Sequence, residues 1–202
     1  MNQAKIRLSA KEMELVSDPD FILTKNNVLN KAVLVLENLC TSYSELAKEK
    51  KEKLPEELNL ASSKISRGEN YLGLPYRVLD YPAIFSGENI LAIRTMFWWG
   101  HFFSITLHLA GKYKKRLEYK LIQSQLLQKT GFHICTSKEQ WHHHFETNNY
   151  TDITNLSEGQ LKNEIISKDF VKLAAYIPVT DWDNMPKKMP EQFRHFIEII
   201  SD

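Results

Sequence analysis

Across residues 93–109 apolar and polar positions alternate with a period of two on both sides of Gly100, the pattern of two strands joined by a tight turn. By parity, one face carries Ile93, Thr95, Phe97, Phe103, Ile105, Leu107 and Leu109, which has the composition of a core. The other carries Arg94, Met96, Trp98, Phe102, Ser104, Thr106 and His108, a mixture of aromatic area and hydrogen-bonding groups. A three-residue connection, Trp99-Gly100-His101, keeps the odd positions together and sets Trp98 opposite Phe102, whereas a two-residue turn would mix the faces.

Ahead of these strands the period changes. Leu29, Ala32, Val33, Leu36, Leu39, Cys40, Tyr43 and Ala47 recur at spacings of three and four, which predicts an amphipathic helix following Asp18-Pro19. Ser9 and Glu12 have capping-box spacing and predict a short helix over 10–17. The mixed-charge stretch KEKKEKLPEE that follows the long helix reads as a solvated loop. From Ile65 onward glycines and prolines punctuate aromatic and β-branched residues, so strands are expected. One of them runs over 76–81, held to an edge or a short span by the prolines at its ends.

Beyond Gly111, residues 112–129 read as a helix stopped by Gly131, and 132–135 as a short strand. Capping-box spacing at Ser137/Gln140 and Ser157/Gln160 predicts helices over 138–146 and 158–176. A last helix begins near Pro190 and packs Phe193, Phe196, Ile197 and Ile200. The sum is an α+β fold, an antiparallel sheet of about four or five strands covered by helices. It forms one domain over 1–202, with a helical N-terminal part at about 9–52 and an α+β body at about 64–202.

Composition narrows the function classes. Of 202 residues 43% are hydrophobic and 25% charged, enough apolar material for a self-sufficient core. A net charge of +1, from 26 basic and 25 acidic residues, gives no global field toward nucleic acid or an anionic membrane, so neither is expected as a partner. No apolar run reaches the length of a membrane span, and the first residues lack the apolar segment of a signal peptide, which predicts a cytoplasmic protein. Cys40 and Cys135 are too far apart for a metal knuckle or a redox pair and read as buried reduced thiols.

Candidate chemistry concentrates on the mixed face. An apolar wall with a few polar groups is what a small-molecule site requires, and Arg94 could hold a carboxylate or phosphate by two parallel hydrogen bonds. The candidate ligand-binding set is Arg94, Trp98, Phe102, Ser104, Thr106 and His108, joined by Tyr76 and Asp80 from the PYRVLDYP segment. Against this stands simple packing across the face, with Arg94 tied to a structural carboxylate; Asp80 or Tyr81 could meet Arg94 or His108 from a neighbouring strand.

His142, His143 and His144 invite a metal reading, but adjacent side chains diverge on either regular backbone, and no zinc or iron signature accompanies them. No metal or other cofactor is expected. Asp181 and Asp183 around Trp182 form a nonspecific carboxylate pair, and the lysines of 112–120 read as a solvated helix face. Nucleophile elbows and phosphate loops are absent. The leading expectation is a noncatalytic binding or interaction protein that holds an apolar small molecule, acidic in the form Arg94 would suit, or a partner chain. The first alternative is an enzyme with an enclosed pocket using His108, Arg94 and Asp80 or Tyr76. The second is a subunit of a homo-oligomer that buries Trp98, Trp99 and Phe102 against its copy.

Overall fold

A computed structural model of the chain describes residues 6–60, 62–129 and 131–201. Ser9 and Glu12 close the expected capping box at the start of α1 (Ala10–Val16). Asp18 accepts a hydrogen bond from the Asp20 amide, and Pro19 occupies the first turn of α2 (Pro19–Glu49). Leu29, Ala32, Val33, Leu36, Leu39 and Tyr43 of the predicted stripe are the buried residues of α2. The charged stretch beyond it does not fade into solvent. It folds into two short 3₁₀ turns, Lys51–Lys53 and Glu56–Leu60, because Leu54 and Pro55 between them are buried.

Seven strands follow: β1 (Lys64–Tyr71), β2 (Leu74–Ser86), β3 (Asn89–Trp98), β4 (Phe102–Ala110), β5 (His133–Cys135), β6 (Tyr150–Asp152) and β7 (Phe170–Pro178). They form one sheet in the order β1-β2-β3-β4-β7-β5-β6, every neighbouring pair antiparallel. The fold is therefore α+β, with a larger sheet than the four or five strands expected. Trp98 lies opposite Phe102 across the turn at Gly100, as the parity argument requires. Strand β2 is longer than expected and lies inside the sheet rather than at an edge. Its ladder shifts register between Asp80 and Ala83, and Pro82, which has no N–H to offer, sits in that irregularity.

The remaining helices are α3 (Gly111–Gln123), α4 (Leu126–Lys129), α5 (Glu158–Ile166) and α6 (Met185–Ile200). Two predicted helices fail for physical reasons. After α5 the apolar spacing falls from four (Leu161, Ile165) to two (Val171, Leu173), so the second half of the predicted 158–176 helix is strand β7 instead. Residues 138–146 are not helical either: Ser137 Oγ accepts from the Glu139 amide in a local turn rather than capping a helix. The predicted 112–129 helix breaks at Ser124, and α6 starts at Met185, with Pro186 in its first turn and Pro190 inside it.

The odd-numbered face of the sheet is the main core. Leu79, Leu91, Ile93, Phe97, Phe103, Ile105, Leu107, Leu109 and Leu173 are buried beneath α2, α3 and α6. Each such side chain contributes about 1.5–3 kcal/mol by leaving water. Tyr43 stacks on Phe193 of α6 with centroids 4.0 Å apart, and its hydroxyl meets Thr95 Oγ1 at 3.0 Å, which satisfies a polar group facing the helices. That leaves the even-numbered face on the side away from the helices.

Candidate binding site under the roof of the sheet

Cross-strand register arranges the even face in rows. Tyr76, Trp98, Phe102 and Pro178 align at one end, then Val78, Met96, Ser104 and Tyr176. Next comes a row across six strands, Asp80, Arg94, Thr106, Ala174, His133 and Asp152, and beyond it Ala92, His108 and Lys172. The face thus grades from aromatic to charged.

Residues 136–149 lie across these rows as an irregular roof. Its base is closed where the Thr136 amide donates to the Asn149 carbonyl at 2.9 Å, an Ω-loop arrangement. Tyr71, the last residue of β1, fixes the middle: its hydroxyl accepts from the backbone amides of His143 at 2.6 Å and His144 at 3.2 Å. Phe145 fills the aromatic end, edge-on to Phe102 at 5.2 Å and stacked on Tyr150 at 4.7 Å. At the charged end Gln140 Oε1 meets His108 Nε2 at 3.1 Å, and Trp141 stands edge-on over the same imidazole.

Arg94 and Lys172 are the two cations beneath the roof. The two parallel hydrogen bonds that Arg94 could have offered a ligand go instead, at 2.8 and 3.0 Å, to Asp80, a structural carboxylate that is almost fully buried. Its third contact is His143 Nε2 at 3.2 Å, and because a guanidinium only donates, that nitrogen accepts and the proton sits on Nδ1. Lys172 is 1% exposed. Its ammonium donates to the His142 carbonyl and lies 5.2 Å from the Tyr150 ring, and among the described residues no carboxylate forms an ion pair with it.

The electrostatics follow from this enclosure. Burial, with the Arg94 charge nearby, lowers Lys172 from 10.5 to about 8 against the weaker opposing influence of the Cys135 thiol and the Glu139 carboxylate. Burial and then the Lys172 charge push His108 down to about 3, and the same causes hold His143 well below the usual imidazole range. Both imidazoles are therefore neutral at pH 7. Burial raises the Cys135 thiol and the Tyr150 phenol. The Tyr150 hydroxyl has Thr106 beside it without a well-formed hydrogen bond.

Of the residues singled out in the sequence, Arg94, Asp80, Thr106 and His108 gather at the charged end, Arg94 and Asp80 as a direct pair. Ser104 is buried mid-face, and Trp98, Phe102 and Tyr76 belong to the aromatic end. Trp98 donates to the Tyr71 carbonyl at 3.1 Å, and Trp98 and Phe102 lie within the chain's own packing. Tyr76 covers Gly68, where any Cβ would stand 2.2 Å from the ring, and is remote from His108 in register. The roof lies directly over Arg94 and His108, with His143 on the one and Gln140 on the other, while Trp98 packs at the aromatic end. A cleft of about 420 Å³ opens beside the roof, lined by Gln140, Trp141, Ile90, Ala110 and Phe170, with Glu88, Asp169, Lys114 and Lys115 also on its walls.

Lys172, Tyr150 and Tyr71 escaped the sequence reading. For Lys172 the signal was present as a lone charge at an inward position of an alternating strand. Of the three histidines of the roof, His143 turns to Arg94, while the His142 and His144 rings lie 5.2 Å apart with His144 also on Asn148, and no group of three or more metal-ligating side chains converges among the described residues. Asp181 is engaged by Lys188 and Asn184. Cys40 and Cys135 are free thiols, Cys135 buried under the roof and Cys40 half-buried. Compared with known protein families, curated proteins and solved structures, the chain matches none.

Proposed function

We propose that the protein binds a small anionic molecule with an apolar body between the roof and the charged end of the sheet. The observation that carries the reading is Lys172, a buried ammonium whose acceptor is a neutral carbonyl. Burying a cation without a counter-charge is unfavourable by several kcal/mol, and a carboxylate or phosphate arriving there would relieve it. The roof is pinned at both cations by neutral acceptors, the His142 carbonyl on Lys172 and the His143 imidazole on Arg94. An anion adds direct charge–charge attraction that neither neutral acceptor supplies, so it competes for both cations. The adjoining cleft supplies Trp141, Phe170 and Ile90 for the apolar body, and Gln140 and Trp141 are the residues that would move aside at its inner end.

Catalysis by His108 is less well supported, since it faces Gln140 rather than a carboxylate or a tyrosine that could orient it, and it is not an imidazolium acid at pH 7. Native mass spectrometry with benzoate and, separately, inorganic phosphate tests the reading. Wild type should retain one anion, and Lys172→Met, which keeps the volume and removes the charge, should retain none. Equal retention by both proteins, or retention by neither at millimolar anion, would overturn it.

A further inference from the structure

The apolar stripe of α2 is longer than the body it packs against. Phe21 and Ile22 stand at helical spacing ahead of Val28 and Leu29, on the face that Ala32, Val33, Leu36 and Tyr43 turn to the sheet. Burial begins only near Leu29, however, and Phe21 and Ile22 remain 45% and 49% exposed. Helix α1 has no buried residue, and Met13, Leu15 and Val16 are open to solvent, as are Ile6 and Leu8 just before it. Ahead of the Lys25–Glu69 ion pair, α1 and the first turns of α2, with the nonhelical residues 6–9 before them, form an arm whose apolar side chains are open.

We propose that this arm pairs with the same arm of a second copy of the chain. The area is what a dimer needs. Ile6, Leu8, Met13, Leu15, Val16, Phe21, Ile22 and Leu23 leave on the order of 900 Å² open in total, at about 200 Å² for a fully exposed large side chain, spread around the arm, so two arms that wrap about each other could reach the roughly 800 Å² per partner of a stable interface. The charges suit self-association as well: Arg7 and Lys11 are interspersed with Glu12, Glu14, Asp18 and Asp20, so a twofold arrangement can oppose unlike charges. A seven-residue helix is marginal alone in water, and packing on a partner supplies the cover α1 otherwise lacks. This interface differs from the Trp98, Trp99 and Phe102 surface considered from the sequence, and it leaves the roof and its neighbouring cleft open.

Sedimentation velocity of the full chain tests the assignment across about 0.1–100 µM. Wild type should sediment as two copies of the 23.6 kDa chain. The double variant Phe21→Glu/Ile22→Glu should weaken the dimer at least about 100-fold, the effect of placing charge in an apolar contact. Tyr119→Glu, at a position 75% exposed elsewhere on the surface, should leave it unchanged. Far-UV circular dichroism and the melting curve confirm that each variant is folded. A wild-type monomer at 100 µM, which would assign the arm to a different chain, or a dimer indifferent to the double variant, would overturn the proposal.

Discussion

Replacing Lys172 by methionine should stabilise the ligand-free protein at neutral pH and destabilise it in strong alkali. Folding lowers the lysine from 10.5 to about 8, so an unfolded chain holds this proton more readily than the native one. The native state therefore carries a penalty of about 3 kcal/mol that is fully present below pH 8, shrinks as pH rises, and is gone above 10.5. Methionine removes the penalty and forfeits the hydrogen bond to the His142 carbonyl, worth about 1 kcal/mol. The net effect is about 2 kcal/mol of stabilisation at pH 7, a melting rise of roughly 4–8 °C for a chain of this size, reversing sign near pH 10. Urea unfolding of both proteins in anion-free buffer between pH 7 and 11 measures the difference, and titrations common to both cancel. A methionine variant no more stable than wild type at pH 7, with a difference flat across the range, would refute the argument that Lys172 is an uncompensated buried charge.

On the acid side the buried neutral imidazoles dominate. His108 and His143 resist protonation in the native state, so below pH 6.5 each should remove stability at up to about 1.4 kcal/mol per pH unit, and His108→Gln should flatten a melting profile recorded from pH 7.5 to 4.5. Arg94→Ala should lower stability by about 3–5 kcal/mol because it strands the buried Asp80 carboxylate; Arg94→Ala/Asp80→Ala should recover part of this in a urea double-mutant cycle, and additive losses would count against the pairing. At the β1–β2 turn Leu72 has φ +51° and is followed by Gly73 at +82°, so Leu72→Asn should raise the unfolding free energy by about 1 kcal/mol through relief of left-handed strain; a lowered urea midpoint would oppose it. Gly111 is at φ +57°, and an added Cβ would come within 2.8 Å of the Glu88 carbonyl, so Gly111→Ala should cost at least about 2 kcal/mol by the same assay.

Much of the fold is legible wherever a single period runs uninterrupted. The stripe from Leu29 to Tyr43, the parity of the strands flanking Gly100 and the boxes at Ser9 and Ser157 each encode local geometry that tertiary contacts then reinforce. Legibility fails where a segment's backbone partners are distant in sequence. Capping spacing at Ser137 and Gln140 could not reveal that the Tyr71 hydroxyl, on a strand far earlier in the chain, takes the amides of His143 and His144. A helix over 138–146 would have needed those amides for itself.

Parity placed Arg94, Thr106 and His108 on one face, and the neighbouring strand supplied Asp80, because each of these inferences requires only adjacent strands. Lys172 arrives from β7, inserted between β4 and β5, and its pairing with His108 depends on the sheet order rather than on any local pattern. Had the Val171, Leu173 spacing been followed through Ile177, the alternation would have turned Lys172 toward the mixed face as a charge with apolar neighbours. A lysine in that position is the kind of residue a fold retains at a cost in stability, and its removal separates the two reasons for retention: a structural lysine would leave the variant weaker at neutral pH, whereas a binding lysine leaves it stronger and without its ligand.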